Sequence, residues 1–177
     1  MKAALLLSLL LGPVQVPRAP FVATPPDVVD RMLTLAAVTP RDVVYDLGSG
    51  DGRIVIAAAQ TFGARGVGVD IDPARVAEAR RNAALAQVEH LVTFRVEDAL
   101  TTDVSPASVV TLYLLAAQNV ALRPALMRQL RPGARIVSHN FAMGDWPPDV
   151  VDTFTAADGQ SRTLYLWRIN PAPSPAR

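Results

Sequence analysis

The chain contains no cysteine, which excludes disulfides, thiolate catalysis and cysteine-based zinc sites together. It has two histidines, His90 and His139, too few and too scattered to argue a metal site. Lysine is nearly missing as well. Lys2 is the only one, so arginine carries almost all the basic charge. Aromatic residues make up 6% of the 177 positions, and no Lys/Arg cluster is interleaved with them. The footprint of a nucleic-acid binder is therefore absent. A formal net charge of +1 supplies no global field that would recruit acidic partners. No apolar run reaches the ~20 residues that a spanning helix needs.

What is present is a chain that is 50% hydrophobic, of a length that suits a single domain with a sizeable core. The first residues, MKAALLLSLLLGPVQVP, pair one positive charge with the apolar run Ala3–Leu11 and then Gly12-Pro13. This pattern fits a signal-peptide core or a short membrane anchor, although no clear A-x-A cleavage site follows. Residues 1–20 are thus expected to be a signal-like or anchor segment and linker, giving a possible membrane association through the N-terminus. Asn170–Arg177, NPAPSPAR, is expected to be a disordered proline-rich tail. The folded domain lies between them, over 21–169.

The chain is organised around Val43–Ala59, VVYDLGSGDGRIVIAAA. Val43, Val44 and Tyr45 have strand character, and the run ends in Asp46. Gly48, Gly50 and Gly52 then fall at alternate positions, ahead of an alanine-rich helix that closes at Gly63. Strand, glycine turn and helix turn backbone N–H groups and a helix N-terminus toward a ligand. Glycine is needed where the ligand packs on the backbone and where φ is positive. A dinucleotide loop has the spacing G-x-G-x-x-G and holds a pyrophosphate. Here the spacing is D-x-G-x-G-x-G, with Arg53 where the third glycine would stand. The acid ahead of the loop would repel a pyrophosphate but pairs well with an ammonium group. That suits S-adenosylmethionine, which has an amino-acid end, a sulfonium and no phosphate.

Two more acids follow at corresponding places. Gly66–Asp70 reads as a second buried strand ending in Asp70, placed to accept from two ribose hydroxyls. Asp72-Pro73 caps the next helix, which leaves Asp70 and the adjoining Ile71 for the ligand. Leu91–Val96 reads as a third strand, followed by Asp98 and Ala99, where an acid can accept from an adenine amino group. Ser108–Leu115 has the nearly all-apolar composition of a central parallel strand buried on both faces. A helix over Asn119–Leu130 and a fifth strand over Ala134–Asn140 come next. Val150–Thr155 and Thr163–Ile169 close the chain as an antiparallel hairpin. A helix from Thr24-Pro25-Pro26-Asp27 precedes the first strand, with Thr24 as its expected cap. It covers the sheet, and Phe21–Thr24 can form part of a lid over the ligand. The expected fold class is α/β: a Rossmann-like, seven-stranded, mostly parallel sheet with helices on both faces and a C-terminal antiparallel hairpin.

The glycine loop resembles the first motif of class I (seven-strand) methyltransferases. From Phe21 to Ile169 the chain resembles a subgroup of protein-lysine methyltransferases whose eukaryotic members are membrane-anchored mitochondrial enzymes. Those act on lysines of adenine nucleotide translocase and of the ATP synthase c-subunit. The resembling stretches are VVYDLGSGDGRIVIAAA, VVTLYLLAAQN, LRPALMRQLRPGARIVS and Asp145-Trp146. The first stretch is also similar to the equivalent loop of the non-SET histone lysine methyltransferase. The resemblance implies S-adenosyl-L-methionine as cofactor. It places Asp46, Gly48, Gly50 and Gly52, with Ser49 between them, at the methionine moiety. Asp70 with Ile71 goes to the ribose, and Asp98 with Ala99 to the adenine. It further implies a protein substrate modified on lysine, with a membrane protein among the candidates; the missing basic and aromatic cluster already argues for no nucleic-acid partner. A catalytic domain that uses this cofactor is expected on the cytoplasmic side.

Acceptor-side candidates lie beyond the fourth and fifth strands, at the carboxyl edge where open α/β sheets bind ligands. They are Tyr113, Gln118 and Asn119, then His139, Asn140, Asp145 and Trp146. Tyr113, Asn119 and Trp146 are the expected catalytic set. Trp146 either walls an amine channel or packs on the core, and His139 reads as a satisfied core histidine. There is no Asn-Pro-Pro-Tyr after the fourth strand, where methylases of adenine and glutamine amides carry one. A small-molecule methyltransferase and a non-catalytic cofactor-fold module remain as alternatives.

Overall fold

The structure is a computed structural model and describes residues 21–170. The N-terminal apolar segment and all but Asn170 of the proline-rich tail lie outside the described residues.

Alternation of helix and strand along the sequence yields α1 (Pro26–Leu35), β1 (Val43–Leu47), α2 (Arg53–Phe62), β2 (Arg65–Asp70), α3 (Pro73–Leu85) and β3 (Val92–Val96). It continues with β4 (Val109–Leu112), α4 (Ala116–Gln129), β5 (Arg135–His139), β6 (Val150–Thr155) and β7 (Ser161–Arg168). All seven strands join one sheet in the order β3-β2-β1-β4-β5-β7-β6. β1 to β5 run parallel, whereas β7 pairs antiparallel with β5 and with β6. The expected mixed sheet with a closing hairpin is what forms.

Successive strand residues point to opposite faces, and the two faces are covered unequally. On one, Val44, Val109, Val137, Leu164 and Leu166 pack under α1 and the Ile54/Ala58 side of α2. On the same side, Val55 and Ala59 of α2 meet Val76, Ala79 and Phe94 of α3 and β3. On the other, Tyr45, Leu47, Val110, Leu112, Ile136 and Trp167 are met by Leu122 and Leu126 of α4. One helix and the loops that flank it close that second face.

The differences from the expected boundaries have local causes. The α1 cap is Pro25, with no side-chain cap bond. Thr24 is instead buried, and its carbonyl accepts from Arg53 Nη1 at 2.9 Å. β4 ends at Leu112 rather than Leu115, because Leu114 turns in beneath the glycine loop. α4 then starts at Ala116, earlier than Asn119, using two alanines that favour helix. Asp72 caps α3 as expected, its Oδ1 accepting from Ala74 N at 2.8 Å.

Candidate active site

β1 delivers Asp46 to the carboxyl edge of the sheet, and the chain must then reverse within a few residues to start α2. Gly48 N and Ser49 N both donate to Val69 O, at 2.9 and 2.8 Å, which pins the turn to β2. Gly50 and Gly52 have φ of +51° and +82°, in the left-handed region that side chains resist. Space is closed as well. A Cβ on Gly52 would lie 2.7 Å from the Phe94 ring and 2.9 Å from Ala79. A Cβ on Gly50 would lie 2.2 Å from the ring of Phe21.

Asp46 is 3% exposed, and its Oδ1 accepts from Thr111 Oγ1 at 2.8 Å. Burial pushes its pKa up to about 7. The Thr111 bond opposes this, and the charges of Asp70 and Asp51 add to it. No cation of the described residues pairs with it, so the full ionisation of Asp46 calls for one from outside. Beside it, Ser49 Oγ is buried without a protein partner. A glycine cradle, a buried acid lacking its cation and an orphaned hydroxyl form a donor and acceptor set that fits the amino-acid end of S-adenosylmethionine.

Asp70 stands at the end of β2. Its Oδ2 accepts from Gly50 N at 2.8 Å and its Oδ1 from Asp72 N at 2.9 Å, so it joins the loop to the start of α3. Ile71 beside it is 44% exposed. Glu97 N donates to Asp70 O at 3.0 Å, which brings the segment after β3 alongside. Asp98 there accepts from Leu100 N at 2.9 Å, and Ala99 is half-buried against the second-face core. The expected cofactor residues thus share one edge formed by β1, β2 and β3.

The acceptor candidates divide. Tyr113 lies with its ring centroid 4.0 Å from that of His139 and 6.4 Å from that of Phe141, forming an aromatic group beyond β4 and β5. Asn119 is buried. Its Nδ2 donates to Ser138 Oγ at 3.0 Å and to Phe141 O at 2.9 Å, bracing the turn after β5. Trp146 packs 5.9 Å from Trp167, its carbonyl accepting from Trp167 Nε1 at 3.0 Å. The Arg123 guanidinium lies 5.6 Å from its ring centroid and pairs with Asp145. His139 corrects an expectation. It is fully buried in the core, yet neither ring nitrogen has a protein partner, so it is not satisfied. Burial, aided by the charge of Arg162, lowers its pKa to about 4, which keeps the ring neutral.

Several contributors have no signature in the sequence. Thr111 meets Asp46 only because β1 and β4 pair in that register. Phe21 is half-exposed above Gly50, with the Arg75 guanidinium 4.8 Å from its ring centroid. The sequence singled out the segment of Phe21, whereas the contact of its ring with Arg75 depends on where α3 begins. Arg53 holds Asp51 at 2.6 Å while reaching Thr24 O, and so ties the chain ahead of α1 to the glycine loop.

Residues 46–150 match the family described as the ANTKMT methyltransferase domain. A protein-lysine N-methyltransferase of Saccharolobus islandicus is 42% identical over 156 residues, covering 87% of this chain and 96% of that protein. The adenine nucleotide translocase lysine N-methyltransferase of Mus musculus is 32% identical, and the chain spans 58% of its length. A crystal structure described as an RNA methyltransferase from Salinibacter ruber, in complex with S-adenosyl-L-homocysteine, is 54% identical. Its TM-score is 0.80, covering 87% of this chain and 98% of that one. With the seven-strand sheet and the cradle at its carboxyl edge, these matches show that the chain belongs to the ANTKMT methyltransferase domain family and is an S-adenosylmethionine-dependent methyltransferase.

Proposed function

We propose that this chain methylates the side-chain amine of a lysine in a protein substrate. The observation that carries the acceptor class is the 42% identity along 96% of a relative named for that activity.

Asp46 is assigned to the cofactor's ammonium and the backbone at Gly48, Ser49, Gly50 and Gly52 to its methionine moiety. Asp70 with Ile71 is assigned to the ribose, and Asp98 with Ala99 to the adenine. When bound, the cofactor supplies an electrophilic methyl on a sulfonium. The remaining work is positioning, since holding an acceptor about 3–3.5 Å from the reacting carbon is worth several kcal/mol. A lysine must also shed its proton, and its ordinary pKa is about 10.4. The rings of Tyr113 and Phe141, over a neutral His139, supply a desolvating wall that favours the uncharged amine. Trp146 stands apart from this wall, packed on Trp167, and Asn119 acts by holding the Phe141 turn in place.

An RNA acceptor is the second reading, favoured by the description of the Salinibacter relative. Against it, the arginines that reach the acceptor rings are already tied to acids. Arg123 pairs with Asp145, and Arg162 with Asp158 at 2.7 Å. The test uses the full chain, tritiated S-adenosylmethionine, and a lysate divided into RNase-treated and protease-treated halves. Lys2 is the only lysine, so self-labelling of lysine is confined to one site. Label in methyl-lysine from the RNase-treated half is the expected result. Label in a methylated nucleoside from the protease-treated half assigns RNA, and label only in small molecules refutes both.

A further inference from the structure

The pairing of β1, β4 and β5 places Asp46, Thr111 and Val137 in one row across the sheet. Continuing each strand by two residues gives the next row on the same face, Gly48, Tyr113 and His139, nearer the carboxyl edge. The 4.0 Å between the ring centroids of Tyr113 and His139 agrees with that row. His139 thus stands two strands from the glycine cradle, about 10 Å across, on the acceptor side.

His139 is 0% exposed, and neither ring nitrogen has a hydrogen-bond partner among the described residues. A neutral imidazole offers one donor and one acceptor, and burying them unpaired costs stability. A polar ring kept in the interior at that cost points to a partner from outside the chain. Burial and the charge of Arg162 on β7 keep His139 neutral, so one nitrogen always presents a lone pair. Beside the rings of Tyr113 and Phe141, such a nitrogen suits a neutral amine. It accepts an N–H, yet supplies no negative charge that would hold the ammonium form. Tyr113 is half-buried and covers His139. Its hydroxyl bonds to no described residue, so ring contacts with His139 and Phe141 are what hold it, and it can turn aside to open His139 to the rim.

We propose that His139 is an acceptor-binding residue: one ring nitrogen takes a hydrogen bond from an N–H of the attacking amine and so turns the amine's lone pair toward the transferred methyl. The inference deepens the amine reading of the acceptor site and rests on it. In the transfer, the amine's lone pair forms the N–C bond as the C–S pair goes to sulfur. The nitrogen becomes positive in that step and its N–H a stronger donor, so the bond to His139 tightens in the transition state. The surplus proton leaves to water, because His139, with a pKa of about 4, does not take it.

The test is calorimetry on the full-length protein with two analogues of the cofactor in which nitrogen replaces the sulfonium. One carries an aminoethyl arm where the methyl stands, and the other a propyl arm of the same length. Wild type is expected to prefer the aminoethyl arm by about tenfold. In His139→Phe the preference should fall to about twofold or less, with the propyl-armed analogue bound within about twofold of wild type. His139→Asn or His139→Gln, whose amide oxygen stands near one of the two ring nitrogens, should restore part of it. No preference in wild type, a preference kept in His139→Phe, an equal loss for both arms, or no recovery in either amide variant would overturn the proposal. No protein or RNA acceptor enters the measurement, so it can fail separately from the transfer assay.

Discussion

Lowering the pH from 7.5 to 5.5 is expected to weaken S-adenosylmethionine binding about 25-fold, through Asp46 alone. In the free protein this carboxyl is buried and has a pKa of about 7. If the cofactor's ammonium binds the carboxylate, the bound form of Asp46 stays ionised well below pH 7. Binding must then expel the proton wherever Asp46 carries one. With a pKa of 7 the protonated excess grows tenfold per pH unit below 7. The ratio of the factors 1 + 10^(7 − pH) at the two pH values is about 25, or about 2 kcal/mol. His139 does not confuse the window, because its pKa of about 4 leaves it neutral throughout.

The assay is titration calorimetry at both pH values, repeated in two buffers of different ionisation enthalpy to count protons. About one proton should be released per cofactor bound at pH 5.5, and a small fraction of one at pH 7.5. Asp46→Asn should bind weakly at both and lose the slope. An affinity that changes less than about threefold over this range, with no proton released, would refute the pairing of Asp46 with the ammonium.

Asp70→Ala should cost about 1.5–3 kcal/mol of cofactor affinity, since it removes charge-assisted acceptors and leaves Gly50 N without its partner; unchanged calorimetric affinity would remove Asp70 from the site. Gly50→Ala should abolish measurable cofactor binding, because the added methyl meets Phe21 at a positive φ; pairing it with Phe21→Ala relieves the clash but not the backbone strain, so recovery should be partial. His139 has a folded pKa below its unfolded value. Its contribution to stability is therefore full above pH 6.5 and is lost as pH falls toward 4, by up to about 3 kcal/mol. Asp46, raised in the folded state, acts the other way, losing stability as pH rises through 7. Urea unfolding of wild type and His139→Phe at pH 7.5 and 4.5 isolates the histidine part, and an unchanged difference between the two proteins would refute it.

The cofactor side of this fold was legible because its demands fall on the backbone and on strand ends. A strand, an acid and three alternate glycines specify a turn, and the turn restricts which residues can stand there. Asp70 was picked out by the same logic, as the first acid after a short apolar run, whereas Asp98 is the second acid after its strand, behind Glu97. Thr111 was not, since its contact with Asp46 depends on the register of a strand 65 residues away. Nor was the unsatisfied state of His139 readable, since a histidine in an apolar strand looks the same whether or not a partner arrives. Trp146 could be a wall or a core residue by sequence, and Trp167 decides how it packs only once β7 is paired.

This asymmetry bears on how one fold serves several acceptors. The cradle is built by one continuous stretch, Asp46 to Gly52, braced by β2 and β3, and it has little room to vary because a Cβ at Gly50 or Gly52 collides with Phe21, Phe94 or Ala79. The proposed acceptor edge is assembled from Tyr113 just after β4, His139 at the end of β5, and Phe141 and Trp146 in the loop beyond it. Those loops are held by replaceable contacts: the Asn119 amide on the Phe141 carbonyl, and the Arg123 pair with Asp145. Changing the acceptor then requires no change in the half that binds the cofactor. Relatives at 42% and 54% identity can therefore be named for protein lysine and for RNA while sharing this domain along nearly its whole length. Overall identity follows the sheet and the cradle, whereas the acceptor follows a few loop side chains, so a transfer assay ranks above sequence likeness for assigning it.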